Sequence, residues 1–243
     1  MKQRFFLLDG EWNVIHLPER PNGFAVFIIG DQNHFVDHST SFWLQNAGRK
    51  HYVDSFLQHG YTVYYSNLYG RSWGSPKAVT LAKRLYHIVM KEEILNDSIH
   101  ILAEGMGALV GLELMESMDD KIRSVCMLNP CLDLASYMNQ EQENKLFYKR
   151  ISKEVMNAYE WSEDQFGSHI ECLPTIQDRK AITPVKIWIS TGEHTYQSKQ
   201  LGRKYEESRK DHAPIQLLIH VNEKRYGIAN GICQFFEQHE LSL

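Results

Sequence analysis

The chain of 243 residues, 43% of them hydrophobic and 12% aromatic, is long and apolar enough to bury one large α/β core. Its formal net charge of −4 excludes a broad basic field for nucleic acid or an anionic membrane surface. Its apolar runs are too short for a membrane span or a signal-peptide core. Four cysteines without paired spacing predict a reducing, cytoplasmic location, and we expect no cofactor.

The first half of the chain predicts strands that alternate with helices. Residues 4–8 and 12–17 flank Asp9-Gly10, a pair that favours a two-residue hairpin turn. The continuous apolar run 24–29 is typical of a strand buried on both faces. Similar runs predict strands at 61–65, 99–103 and 122–128, with helices near 46–59, 79–94 and 107–117. This alternation indicates a parallel sheet with crossover helices.

The pattern changes after the strand that ends near residue 128. From 133 to 182 the sequence is polar, with large apolar residues dispersed at helical spacing. A connection of this length in a compact sheet indicates an inserted helical cap, which divides the chain into a core of residues 1–132 and 183–243 and a cap of residues 133–182. The core then continues with strands at 185–190 and 215–220 and helices at 199–210 and 226–238.

The most informative turn lies between the strand at 99–103 and the helix that follows it. Gly105 is at its apex, and Ala103 and Gly107 are its small neighbours. A sharp strand-to-helix turn holds its apical residue at positive φ, which glycine tolerates best. The sequence therefore predicts a nucleophile elbow without a hydroxyl group.

With these elements the chain resembles the α/β-hydrolase superfamily, particularly its lid-bearing, monoacylglycerol-lipase-like and serine-aminopeptidase-like branch. The resemblance covers the hairpin, the strand ending at Gly30, the glycine-containing loop 70–75, the elbow, the cap and the two final strand–helix units. It implies an α/β-hydrolase fold with a mostly parallel central sheet, flanking helices and a helical cap insertion.

The resemblance places the family's catalytic triad on unsuitable residues. The nucleophile position falls on Gly105, and the acid position in Gly192-Glu193-His194-Thr195 falls on Thr195. The histidine position in Lys224-Arg225-Tyr226-Gly227 falls on Tyr226 or Arg225. Because a triad acts as a unit, the resemblance implies that ordinary serine-hydrolase chemistry is absent.

The oxyanion hole is less clearly changed, since the family builds it from backbone N–H groups, here those of Met106 and of Asp31 after Gly30. The Asp31 carboxylate would oppose anion binding unless it points away. We therefore predict a ligand site at the carboxyl end of the sheet, where α/β folds bind ligands, formed by Gly30, Asp31, Glu104, Gly105, Met106, His194 and Arg225.

Several polar residues have both a functional and a structural interpretation. Glu104 is an acid or base at the elbow or a packed strand end, and His194 is a pocket residue or a solvated loop residue. Asp133 is a displaced acid or a helix N-cap, with the N-cap favoured. Cys131 is a substitute nucleophile or, as we expect without an adjacent base, a buried inert thiol.

Two further histidine positions have simpler interpretations. His34 and His38 have the i, i+4 spacing of metal ligands but no evident third ligand. We therefore expect no metal site there. His220, within an apolar strand, is expected to be a satisfied core residue.

Three classes of function remain open at this point. The first is a non-hydrolytic protein that binds a small acyl or apolar ligand, or a protein partner. The second is an active esterase-like or thioesterase-like hydrolase or lyase that uses Glu104, His194 or Asp133. The third is an interaction protein whose cleft is filled by cap side chains and whose surface exposes an apolar patch.

Overall fold

The fold is a single mixed sheet with helices on both faces. A computed structural model describes residues 2–192, 195–221 and 227–240. In this part of the chain the strands are β1 (Lys2–Leu8), β2 (Glu11–Leu17), β3 (Ala25–Ile29), β4 (Thr62–Ser66), β5 (Ile99–Glu104), β6 (Ile122–Leu128), β7 (Val185–Ser190) and β8 (Ile215–His220). The α-helices are α1 (Phe42–Gln45), α2 (Ala47–Gln58), α3 (Pro76–Glu92), α4 (Gly107–Ser117), α5 (Leu134–Glu141), α6 (Lys145–Tyr159), α7 (Glu163–Glu171), α8 (Ser198–Arg209) and α9 (Ile228–Gln238).

The strand order is β1-β2-β4-β3-β5-β6-β7-β8. β1 and β2 pair antiparallel through the turn at Asp9 and Gly10, where φ is 52° and 81°. β2 also runs antiparallel to β4, and every other neighbouring pair is parallel. The predicted hairpin and the mostly parallel sheet are therefore confirmed.

The alternation of side chains along β3 shows how the core is built. Ala25, Phe27 and Ile29 pack on the face covered by α3, α4 and α8, whereas Val26 and Ile28 pack on the face covered by α2 and α9. A strand with period-2 side chains and helices on both faces must be apolar throughout, and all five residues of β3 are buried. This sheet sets the carboxyl ends of β3 and β5 side by side.

Some element boundaries differ from those predicted. α3 begins at Pro76, which has no backbone N–H to leave unpaired and favours the first helical turn. The expectation that His220 is a core residue is wrong, because β8 is an edge strand and the His220 ring is only half-buried.

The region between β6 and β7 contains α5, α6 and α7, as the predicted helical insertion requires. These helices share one apolar cluster with the loop after β4 and with the elbow, which includes Trp73, Met106, Tyr137 and Ile151. The exact bounds of a separate cap stay a prediction.

Candidate functional site

The turn between β5 and α4 has the geometry predicted for an elbow. Gly105 has φ +52°. Its N–H donates to Leu128 O at 2.9 Å and its carbonyl accepts from Cys131 N at 2.8 Å. At Gly107 a Cβ atom would lie 2.7 Å from the Gly30 carbonyl oxygen, so glycine lets α4 begin directly against β3.

The side chain of Asp31 occupies the space above Gly105. A Cβ atom built on Gly105 would lie 2.6 Å from Asp31 Oδ2 and nearer still to its Cγ and Oδ1 atoms. Asp31 Oδ1 accepts a hydrogen bond from Met106 N at 2.9 Å. The carboxylate therefore lies over the apex and is bound by the amide that the family resemblance assigns to the oxyanion hole. It points towards that amide, not away from it.

Tyr196 donates to the same carboxylate oxygen as Met106. Its hydroxyl donates to Asp31 Oδ1 at 2.7 Å and accepts from Gln32 Nε2 at 2.5 Å. The Tyr196 side chain is buried, and burial, reinforced by the Asp31 charge, raises the pKa of its phenol well above the ordinary value. The phenol therefore stays a hydrogen-bond donor. Tyr196 and Gln197 both have positive φ, 63° and 49°, which places side chains in a sparsely populated region of backbone space.

Aromatic side chains cover this arrangement. The Trp73 indole stacks on Tyr137 with ring centroids 5.7 Å apart, and the Tyr137 and Tyr196 rings are 4.9 Å apart. Trp73 N donates to the Met106 sulfur at 3.2 Å, and Trp73 Nε1 donates to Glu154 of α6 at 3.2 Å. The loop after β4, helices α5 and α6 and the elbow are thus packed together above Gly105.

Glu104, the last residue of β5, is buried and paired. Arg49 of α2 donates to both of its carboxylate oxygens, with Nε at 3.2 Å from Oε2 and Nη2 on Oε1. Of the two interpretations, this contact fits that of a packed strand end. The predicted site residues Gly30, Asp31, Glu104, Gly105 and Met106 do lie together around the elbow; their role in ligand binding stays a prediction.

Asp133 and Cys131, the two other candidates for a chemical role, both have contacts or burial typical of structural residues. Asp133 caps α5, since its carboxylate accepts from Ser136 N at 2.8 Å. Cys131 is fully buried, and burial, with a smaller contribution from Asp31, raises the pKa of its thiol well above the usual value. The expected N-cap is confirmed, and Cys131 is buried as expected; its lack of reactivity stays a prediction.

The other candidate histidines do not converge on the elbow as ligands. His34 is buried, and its ring nitrogens contact the carbonyl oxygens of Asp31 and Asn67 at 2.5 and 3.0 Å. The His38 side chain is 75% exposed. Within residues 2–192, 195–221 and 227–240 no group of three or more histidine, cysteine or acidic residues could hold a metal ion.

Of the positions that the resemblance assigns to the acid and the histidine, the structure describes only that of the acid, Thr195. Thr195 is exposed in a short 3₁₀ turn before α8. His194, Arg225 and Tyr226 lie outside the described residues. Sequence reasoning missed Tyr196, Trp73 and Arg49; Tyr196 directly follows the acid position and Trp73 lies in the glycine-containing loop, which are the local signals that could have drawn attention to them.

A serine, a histidine and a glutamate do meet elsewhere, near the amino end of β5. His100 Nδ1 lies 2.8 Å from Ser124 Oγ, and His100 Nε2 lies 3.5 Å from Glu240 Oε1. Ser124 and His100 are completely buried, and the ring of His100 stacks on Phe236. Gly105 comes five positions after His100, a distance of roughly 16 Å along a strand, so this array contributes nothing to the chemistry at the elbow.

Comparisons with known proteins agree on the architecture. Est1E from Butyrivibrio proteoclasticus superposes with a TM-score of 0.68 at 11% identity, covering 98% of both chains. S-Formylglutathione hydrolase from Agrobacterium tumefaciens gives 0.67 at 10% identity, over 98% of this chain and 94% of that one. Alpha/beta hydrolase domain-containing protein 10 from mouse gives 0.62 at 10% identity, over 98% and 99%.

No protein-family model matches the chain, and no curated protein matches it in sequence. At these identities the structural likenesses show a shared fold alone. They confirm the fold expected from the sequence. Among the described helices none combines the length and apolar character needed to cross a membrane.

Proposed function

We propose that this chain, which has the α/β-hydrolase fold, is a non-hydrolytic protein that binds a small apolar ligand. The observation that carries the first half of the proposal is the position of Asp31. Its carboxylate fills the space where a nucleophile on residue 105 would project, and it accepts the Met106 N–H. The turn has the geometry of an elbow, and the Asp31 side chain occupies the space above its apex.

Acyl transfer needs a nucleophile, a base to activate it and free donors for the developing oxyanion. Gly105 has no side chain, and the Met106 donor is already bound to a carboxylate. A negative charge above the elbow also opposes the negative charge that would develop there in a tetrahedral intermediate. These features act in the same direction and support the non-hydrolytic proposal.

The competing proposal is an enzyme that uses Glu104, His194 or Asp133. Both carboxylates are occupied by other contacts, Glu104 by Arg49 and Asp133 by the amide of Ser136. A general base must be within hydrogen-bond reach of the proton it removes. The observed contacts therefore favour a structural role for both.

Protein binding is a second candidate function, because one specific surface favours it. The edge strand β8 exposes Leu218 and Ile219, and Val221 after it is also exposed, each side chain by 38–43%. A sheet edge with exposed apolar side chains is a typical site of strand pairing. Cross-linking and light scattering of the purified chain, native and with Leu218→Lys, would test this candidate.

The test of the non-hydrolytic proposal combines activity with active-site labelling. Native protein is incubated with a panel of p-nitrophenyl and thioester substrates, and we expect turnover equal to that of buffer. Gly105→Ser, alone and with Asp31→Ala, is treated with a fluorophosphonate probe, and we expect no stoichiometric labelling because the histidine position of the family resemblance falls on Tyr226 or Arg225. Circular dichroism verifies that each variant is folded.

Matched carboxamide variants identify the residue behind any activity that does appear. Turnover well above buffer that is lost in Glu104→Gln or Asp31→Asn, and kept in the exposed control Glu143→Gln, would refute the proposal. Labelling of Gly105→Ser would show that a usable base exists and would refute it as well.

A further inference from the structure

A cavity of about 360 Å³ lies beside the elbow, between the start of α3, the helix α4 and the segment that carries α5–α7. This volume is within the range of small-molecule sites in proteins. Its walls are formed by side chains from four separate parts of the chain, among them Val79, Leu109, Leu134, Tyr159 and Leu173. The Tyr159 hydroxyl donates to Trp73 O at 3.0 Å, so the cavity lies next to the aromatic side chains that cover Gly105 but is not part of the closed elbow.

An ion pair forms part of the wall of this cavity. Arg179 Nη1 lies 2.7 Å from Glu113 Oε1, and both residues line the cavity. Only 5% of the Arg179 side chain is exposed, against 35% for Glu113. In the described part of the chain the buried Nε–H of Arg179 has no hydrogen-bond partner. That nitrogen has almost no exposed surface, so a ligand oxygen in the cavity would meet another part of the Arg179 side chain, which lines it.

Hydrogen bonds to α4 and α8 hold the backbone that follows Arg179 in place without a ligand. The amides of Lys180 and Ala181 donate to Glu116 of α4 at 2.8 and 3.0 Å. The completely buried Arg209 of α8 donates to the carbonyl oxygens of Ala181 and Thr183 at 2.7 and 2.5 Å. A preformed wall lowers the entropic cost of binding.

We infer that this cavity is the ligand site of the protein and that it takes a small neutral molecule with an alkyl body and one hydroxyl, ester or amide oxygen. This inference rests on the proposed binding function and names its ligand class. The alkyl body would contact Leu109, Leu134 and Leu173, and the oxygen would accept from Arg179. Because Glu113 already neutralises Arg179, a free carboxylate would bring a second negative charge to the same guanidinium and is disfavoured.

The test uses 1-octanol and sodium octanoate, which share their chain length and differ in charge. Isothermal titration calorimetry on the full chain should show one saturable site for 1-octanol and binding at least tenfold weaker for octanoate. Shortening the alcohol to 1-hexanol should weaken binding about fourfold for each methylene removed. Octanoate binding as tight as 1-octanol, or no saturable binding of 1-octanol, would overturn the inference.

Three variants locate the site. Val79→Trp fills the cavity and should weaken 1-octanol binding at least tenfold, whereas Ile94→Trp, at a fully exposed position, should leave it unchanged. Glu113→Gln leaves the Arg179 charge uncompensated and should strengthen octanoate binding about tenfold, the effect of a hydrogen bond to a charged group. Equal 1-octanol affinity in Val79→Trp and native protein, or unchanged octanoate affinity in Glu113→Gln, would contradict the assignment.

Hydrolysis of p-nitrophenyl octanoate is measured in the same samples. Turnover that disappears in Val79→Trp would overturn the non-hydrolytic proposal while supporting the site. No binding together with no turnover would overturn the site and leave the non-hydrolytic proposal standing.

Discussion

Substituting Gly105 by alanine tests whether the Asp31 carboxylate closes the elbow. The new Cβ atom would lie 2.6 Å from Asp31 Oδ2 and nearer to two other atoms of that side chain, so Asp31 has to move. Moving it breaks the hydrogen bonds to Met106 N and to the Tyr196 hydroxyl. The variant should therefore lose more stability than an ordinary glycine substitution at positive φ.

The expected loss has two parts. A side chain in the left-handed region costs about 1–2 kcal/mol. Each hydrogen bond to the charged carboxylate contributes about 1.5 kcal/mol at the lower end of the range, because the displaced carboxylate regains water. The free energy of unfolding should fall by about 4–5 kcal/mol in total. In an Asp31→Ala background the same substitution should cost only the conformational part, about 1–2 kcal/mol.

Urea unfolding followed by circular dichroism and tryptophan fluorescence measures all four corners of this cycle. Gly70→Ala is the matched control, because Gly70 also has positive φ, +64°, and an added Cβ would meet nothing within 4 Å. The control should lose about 1–2 kcal/mol in either background. Equal losses for Gly105→Ala with and without Asp31, or a loss no larger than that of Gly70→Ala, would refute the closed-elbow interpretation.

Two further predictions concern buried polar groups. Burial lowers the pKa of His16 from 6.5 to about 4, so the unfolded chain binds a proton at this residue first. The contribution of His16 to stability should therefore fall by about 3 kcal/mol as pH drops from 6.5 towards 4 and level off below that. Urea midpoints across this range should show a shallower fall in His16→Gln, and an unchanged pH profile would contradict the assignment. Asp133→Ala removes the N-cap of α5 and should cost about 1 kcal/mol in urea unfolding. Any basal ester hydrolysis should be the same in this variant, and its selective loss would instead indicate a catalytic Asp133.

The fold could be predicted in detail because its signals are local. The alternation along β3, the turn at Asp9-Gly10 and the small residues around Gly105 each restrict the backbone within a few residues. His220 is the instructive failure. An apolar run predicts a strand, but whether the strand lies in the middle or at the edge of the sheet depends on which strands pair, and nothing within β8 records that.

The position of the candidate site could be predicted from the sequence, but the contacts between its side chains could not. The sequence placed Asp31, Glu104 and Met106 near the elbow because parallel strands end at a common edge. It left open whether the Asp31 carboxylate pointed away, and it did not identify the partners of Glu104. Arg49 reaches Glu104 from a helix 55 residues earlier in the chain, which no local pattern reports.

By itself, the sequence determined that an elbow exists here and that it has no hydroxyl, because Gly105 and its small neighbours act on the backbone they belong to. Only the tertiary structure decided what occupies the space above it. Asp31 is joined to Met106 across 75 residues and to Tyr196 across 165. Side-chain direction at such a point is set by packing and by hydrogen bonds between distant segments, and these exist only once the sheet and its loops have assembled.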